Sequence, residues 1–416
     1  MILFLAPPPV GVSGGYRYNE EILSHYPSNG PPVDYRFCEA HVLESAIGLI
    51  REGQLPVMRE NGRQAGGRLS GKRVTGTTGT TRTIGPTAED RLAAAICEAS
   101  AVLLDSLTFT RISRLALSRL ARVCPVGLMY HHMPRFEPGI GHAERAKKEA
   151  EEAHRLASCR LVITPSRWVA RSVRRLWGRY AVRHGRSAAG IRVVPVRPGE
   201  RCDSFADKES RTRERGTDEV NHRPDHPVRI LTVGSVEPRK AQADLFSALN
   251  SLPHLSWHWD VVGSLETSVE YANVLRRAVS RSAVSSRITF HGSLNLEATR
   301  KLYRRADVFA LVSRFETYGM VFAEARCAGL PVIARAVGGV PEVVFHRATG
   351  LLVAPDRPIA GAMAKLLSDR SRRAVLAYGA RTSVETLPGW DEQAALFADA
   401  LGRLVEAASE TSRKSQ

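Results

Sequence analysis

Two glutamates eight residues apart, Glu316 and Glu324, stand in the stretch FETYGMVFAEARCAGLPVIARAVGGVPE, with Gly319 between them and the apolar run LPVIA behind. On one continuous helix they would sit ~80° apart around the axis, sharing a broad side without stacking. A loop carrying Glu316 and a helix carrying Glu324 fits better. Gly319 would then let the backbone approach a ligand closely. A helix starting near Met320 and Val321 would aim free N–H groups and its positive dipole end at a phosphate. Glu324, about one turn in, could accept from two hydroxyls of a ribose, as the acid of a dinucleotide fold does. One glutamate for a sugar, backbone amides for a diphosphate and a second glutamate for a ribose are the parts of a nucleotide-sugar site.

These residues need a scaffold, and the apolar runs supply one. ILFLA, AVLLD, PVGLMYHH, CRLVITPS and IRVVPVRPG read as five strands of a first unit, with helices between them. VRILTVGS, WHWDVVGS, RITFHGSL, DVFALVS, LPVIA and GLLVAP read as six strands of a second. Short apolar strands alternating with helices mean a parallel sheet with crossovers. The fold class is therefore α/β, with two Rossmann-like doubly wound domains in tandem. Ligands of such sheets bind outside the carboxyl ends of the strands. Gly234 and Ser235 end the second unit's first strand, with Arg239 and Lys240 just beyond, and Glu316 follows the strand DVFALVS.

Length and composition agree. At 416 residues and 43% hydrophobic, the chain can bury two cores. The domains are expected at 1–200 and 228–388, joined by a polar linker at 201–227. A helix at 389–406 and a disordered tail at 407–416 follow. Residues 61–87, rich in Gly, Thr and Arg, read as a mobile insertion: a flap over a phosphorylated ligand, a membrane contact or an unconstrained loop. None of the six cysteines has metal-site spacing, so reduced thiols and no metal site are expected. No run approaches the ~20 apolar residues of a membrane span, and MILFLA lacks the features of a signal peptide. A cytoplasmic protein is expected.

The formal net charge of +17 draws the chain toward polyanions: nucleic acid, an anionic membrane or a phosphorylated substrate. Aromatic content of 6% and the lack of a recognised module argue against specific nucleic-acid binding. RISRLALSRLARV and RWVARSVRRLWGRYAVRHGR mix basic and apolar residues at helical spacing. They are either peripheral docking faces for the inner leaflet or crossover helices with a solvated basic side.

The stretch from Ser313 to Asp356 resembles the C-terminal signature of the retaining GT-B glycosyltransferases of family 4. It holds the E-x7-E pattern, a small-residue helix, G-L-P-V, a GG-x-x-E turn and T-G-L-L-V. VGSVEPRKAQADLFSAL is similar to the family's G-x(5)-K-G segment, whose lysine binds the donor diphosphate. The resemblance gives that role to Lys240. Ala241 stands where the family has glycine, and Ser235 where many members have arginine, which makes Arg239 the second cation. SGGYRYN is similar to the family's glycine loop, so Gly14 and Gly15 are expected to offer amides to the phosphates. YHHMPRFE resembles a histidine-bearing loop that meets the donor sugar, and either His131 or His132 could face the cleft. PGWDEQAALFADAL resembles the family's final helix, which returns to brace the first domain.

The resemblance implies a hexosyltransferase that takes a UDP-, GDP- or ADP-sugar, needs no cofactor, and uses Lys240, Arg239, Glu316 and one of the two histidines in catalysis. The alternatives are another GT-B enzyme, such as a nucleotide-sugar epimerase or a phosphorylase, and a basic nucleic-acid-binding protein. An epimerase needs acid/base groups at the sugar, a phosphorylase of the usual kind needs a pyridoxal lysine, and neither gives a clear signal.

Overall fold

The computed structural model describes residues 1–8, 14–51, 87–202, 205 and 226–414. The expected insertion at 61–87 lies outside the described residues, except for Thr87, which caps the next helix by accepting from Asp90 N at 3.1 Å. Most of the expected linker at 201–227 lies outside them as well.

The first sheet holds β1 (Ile2–Ala6), β2 (Val33–Phe37), β3 (Ala101–Asp105), β4 (Val126–Met129), β5 (Leu161–Thr164) and β6 (Arg192–Pro195), in the order β2-β1-β3-β4-β5-β6. Every pairing is parallel. All five residues of β1 are fully buried, which is why the strand reads as an unbroken apolar run. The first-unit reading has five strands, and β2 is the addition. Its sequence, VDYRF, is half-exposed at the sheet edge and offers no such run.

The second sheet holds β7 (Val228–Val233), β8 (Trp257–Val262), β9 (Ile288–Gly292), β10 (Val308–Leu311), β11 (Val332–Arg335) and β12 (Gly350–Val353), in the order β12-β11-β10-β7-β8-β9. The chain runs outward from β7 to β9, then restarts at β10 on the other side. The reversal leaves a crevice at the carboxyl ends of β7 and β10, where open α/β sheets bind ligands. Lys240 and Glu316 come from the loops after these two strands.

The C-terminal helix, Trp390–Lys414, packs back onto the first domain. Trp390, Ala394, Phe397, Leu401 and Leu404 join Ile2, Phe4, Tyr18, Met129 and Ile163 in one buried cluster. The helix runs past 406, where the sequence reading began a disordered tail. The residues beyond, EAASETSRK, hold neither Gly nor Pro to stop it.

One further expectation changes. Cys202 and Cys327 are joined as a disulfide, so the reading of six reduced thiols fails at this pair. At a sequence separation of 125, their spacing carries no local signal. The helix Arg167–Arg183 is a crossover helix whose Trp177 is buried in the first core, so its aromatic side faces inward. Its outer side exposes Arg167, Arg171, Arg175 and Arg179. Among the described residues, no helix is long and apolar enough to cross a membrane.

Candidate active site between the two domains

Glu316 is buried at the end of the β10 loop. Its Oε1 accepts from Lys240 Nζ at 2.5 Å and from Ser313 Oγ at 2.8 Å, and Arg239 Nη1 lies 3.5 Å from Oε2. Arg239 is also held by Glu237 at 2.7 Å. Burial pulls the Lys240 ammonium below its usual pKa, against the opposing pull of Glu316. Burial pushes the Glu316 carboxyl up, but Lys240 and Arg239 outweigh it and hold the group below the usual carboxylate range. The result is an ion cluster with two cations and one central carboxylate.

The backbone around this cluster is dictated by close approach. Gly338 has φ +54°, and a Cβ there would lie 1.8 Å from the carbonyl oxygen of Glu316. The GG turn is thus the floor against which the Glu316 loop rests, and Gly339 N donates to Glu316 O at 3.0 Å. Gly319 has φ +90° and begins the helix Met320–Cys327, as the sequence reading requires. Ala241, in the family's glycine position, adopts φ +54°, the left-handed region that costs an L-residue roughly 1–2 kcal/mol.

Glu324 lies on the buried side of that helix, facing the first domain. Its Oε1 is in contact with Arg17 Nη1, and its Oε2 accepts from Tyr303 Oη at 2.9 Å. Arg17 sits in the first turn and a half of the helix Gly14–Ser24, which starts at Gly14 and Gly15. Met320 packs against the cores of both domains, and Val321 O accepts from Tyr303 Oη at 3.2 Å. Gly234 and Ser235 follow β7 directly, and Ser235 O accepts from Gln242 Nε2 at 2.8 Å.

The two histidines differ. His131 is partly buried, with Nε2 2.8 Å from Asn19 Oδ1 and its ring edge-on to Tyr18. Asn19 in turn donates to Asp105 Oδ2 at 3.0 Å, and Asp105 Oδ1 caps the following helix through Leu107 N. His132 is more exposed, lies 3.1 Å from Glu137, and feels the charge of Arg239 across the cleft. Burial lowers both pKa values below the ordinary histidine value, so both rings are neutral at pH 7.

The domains meet directly. Phe315, next to Glu316, stacks on Phe136 at 4.8 Å between ring centres and lies 5.7 Å from Trp168. The Glu342 carboxylate, from the GG-x-x-E turn, accepts from Arg167 N at 3.0 Å and Trp168 N at 2.6 Å, capping a first-domain helix. The structure therefore brings Lys240, Arg239 and Glu316 together and sets Glu324 in a second cluster beside the first domain.

Glu200 and Arg17 belong to this second cluster, and neither was legible as a site residue. Glu200 ends the turn after β6, at the last position of the expected first domain and just before the expected linker. Burial, with Glu324 nearby, pushes the Glu200 carboxyl well above its usual range, against the pull of Arg17. Its folded form therefore keeps a proton that the unfolded chain releases near pH 4.5, so stability falls as pH rises above that value. Glu200→Gln, which cannot ionise, is expected to melt higher than wild type at pH 8. The gap should close toward pH 4.5, as thermal melts across the range will show. An equal gap at both pH values would contradict this.

Two six-stranded parallel sheets that face each other across a cation-bearing cleft define the GT-B architecture. Solved structures agree on the fold. The sucrose-phosphate synthase of Thermosynechococcus elongatus superposes with a TM-score of 0.66 at 20% identity, covering 98% of this chain and 99% of that one. Anabaena HepE, solved with UDP-glucose, gives 0.64 at 17% identity, covering 97% and 99%. Residues 215–383 match the family Glycosyl transferases group 1. A D-inositol 3-phosphate glycosyltransferase of Xylanimonas cellulosilytica is 35% identical over 52% of this chain and 52% of its own length. A GDP-mannose-dependent alpha-(1-6)-phosphatidylinositol monomannoside mannosyltransferase of Mycobacterium tuberculosis is 34% identical over 51% and 56%. The chain spans about half the length of these curated relatives.

Proposed function

We propose that the protein is a retaining glycosyltransferase of family 4 that moves a hexosyl or N-acetylhexosaminyl group from a nucleotide diphosphate sugar to an acceptor. The observation that carries this reading is the Lys240–Glu316–Arg239 cluster at the switch point of the second sheet, pressed against the first domain. In the reaction the bond from the sugar's C1 to the diphosphate oxygen breaks, and its electron pair leaves with the diphosphate. The acceptor oxygen bonds C1 on the same face, and its proton passes to the departing diphosphate. Stabilising that developing anion is the largest demand, and preorganised cations in a water-poor site meet it best. Lys240 and Arg239 supply the positive charge, and amides at Gly319, Met320 and Val321 add to it. Glu316 keeps both cations aimed and accepts from sugar hydroxyls, while Glu324 holds the ribose.

The acceptor sits against the first domain, near His131 and His132, where neutral imidazoles can take or give hydrogen bonds. The relatives are named for D-inositol 3-phosphate and phosphatidylinositol monomannoside, and a phosphorylated polyol suits the arginine surplus here. The arginine side of the helix Arg167–Arg183 is where contact with an anionic membrane would form.

A thermal-shift panel of UDP-, GDP- and ADP-sugars tests the reading. A ligand at 100 times its Kd stabilises the native state by about 2.7 kcal/mol, which raises the melting temperature by a few degrees. One nucleotide class is expected to produce that shift. No shift with any of the three, at millimolar concentration, would refute the donor site.

A further inference from the structure

Arg17 is the first-domain partner of the carboxylate that would hold the ribose. Resting on the nucleotide-sugar reading, we propose that Arg17 binds the donor's diphosphate and exchanges Glu324 for it when the ribose arrives.

Glu324 already has two partners. Both of its oxygens are engaged, one by Arg17 and the other by Tyr303. A ribose diol that donates hydrogen bonds to this carboxylate competes with these two donors for its lone pairs and for the space around them. Tyr303 is fully buried in the second domain's core and cannot withdraw. Arg17 is 28% exposed, reaches across from the other domain, and has a long stem that can swing. It is the partner that yields.

The displaced guanidinium does not go far. In a nucleoside diphosphate the phosphate is carried on the ribose's own 5′ carbon, so the anions lie one methylene from the ring that took its place. The helix bearing Arg17 starts at Gly14, at the carboxyl end of β1, so Arg17 and the amides of that first turn face the same end of the cleft. A guanidinium presents a planar fork that matches phosphate oxygens two at a time.

The surrounding charges favour the move. The carboxylates that face Arg17 are Glu324, Glu200 and Glu21. Once ribose hydroxyls occupy Glu324, burial favours the neutral form of Glu200, which weakens its hold on Arg17, and Glu21 is shared with Arg201 at 3.7 Å. The diphosphate is then the strongest anion within reach. Arg17 thus makes donor binding an exchange of ion pairs, and it separates nucleotides with a diphosphate from bare nucleosides.

The test is calorimetric binding of UDP, GDP and ADP, and of uridine, guanosine and adenosine, to wild type, Arg17→Gln and Arg17→Lys. For the base that binds wild type, Arg17→Gln is expected to lose about tenfold or more in affinity for the diphosphate, the scale of one charge-assisted hydrogen bond. The same variant should bind the matching nucleoside severalfold more tightly, because the competitor for Glu324 is gone. Arg17→Lys, a point charge, should fall between, and it carries the comparison if Arg17→Gln does not fold. Equal loss of both ligands means that Arg17 only props Glu324, and overturns the exchange. Unchanged diphosphate affinity overturns it too. If wild type binds none of the three diphosphates, the donor-site reading itself fails, and the role of Arg17 falls with it.

Discussion

Lys240→Ala is expected to cut turnover by about 100-fold or more while the protein stays folded. The scale is that of removing one preorganised donor from an oxyanion site. Two effects act in the same direction. The ammonium no longer meets the departing diphosphate, and Glu316 loses the partner 2.5 Å away that offsets its charge. An uncovered carboxylate beside a forming dianion is repulsive, so the loss should fall on kcat more than on KM. Arg239 cannot compensate, since Glu237 holds it at 2.7 Å and it lies 3.5 Å from Glu316. Glu316→Ala should fall by a similar factor for a different reason, because both cations lose the group that aims them. The measurement is release of the nucleoside diphosphate from the donor that stabilises the protein in the melting panel. Turnover near wild type in either variant, with an unchanged melting temperature, would sink the assignment of the cluster.

The parts of this site that could be read from sequence are those fixed by local chemistry. Glu316 sits in a loop and Glu324 in a helix because Gly319 breaks the chain between them and strands flank both sides. Lys240 follows a strand, and the strand order places it beside Glu316 although 76 residues separate them. What stayed hidden depends on contacts between domains. The contact of Arg17 with Glu324 spans 307 residues, and nothing in SGGYRYN specifies it. Glu342 is visible as part of a motif, but its capping of the helix at Arg167 needs the two domains in register. The adjacent histidines left two options, and alternation along an extended segment explains the outcome. His131 turns into the Asn19–Asp105 network, while His132 turns toward Glu137 and the charge of Arg239. The edge strand β2 was missed because period-two patterning over five half-exposed residues is a weak signal.

Arg326→Ala is expected to lower stability by about 3 kcal/mol, although this arginine touches no proposed substrate. It sits two residues after Glu324 in a helix whose neighbours, Ala323 and Ala325, are small and fully buried, and it is itself 0% exposed. A buried guanidinium is tolerated only when its protons are used. Here Nη1 donates to Val343 O at 2.8 Å, while Nη2 donates to Ser383 Oγ at 2.8 Å, to Thr386 Oγ1 at 2.9 Å and to Ser383 O. The charge also lies over the ring of Phe345, 4.8 Å from its centre. These bonds tie the Glu324 helix to the segment after the GG turn and to the end of the helix Arg370–Thr382. Truncation leaves the Val343 carbonyl without the guanidinium, at roughly 1–3 kcal/mol for a buried acceptor, removes a donor from Ser383 and Thr386, which keep bonds to each other and to Ala380, and opens a cavity. Relief of the guanidinium's own desolvation offsets part of that cost, which sets the net near 3 kcal/mol rather than higher. Arg326→Met, which fills the stem's volume, should recover the cavity component but not the orphaned acceptor. Denaturant melts of the three proteins separate these contributions. A loss below 1 kcal/mol in Arg326→Ala would mean that the acceptor finds water, and that the Glu324 helix is held by its apolar face alone.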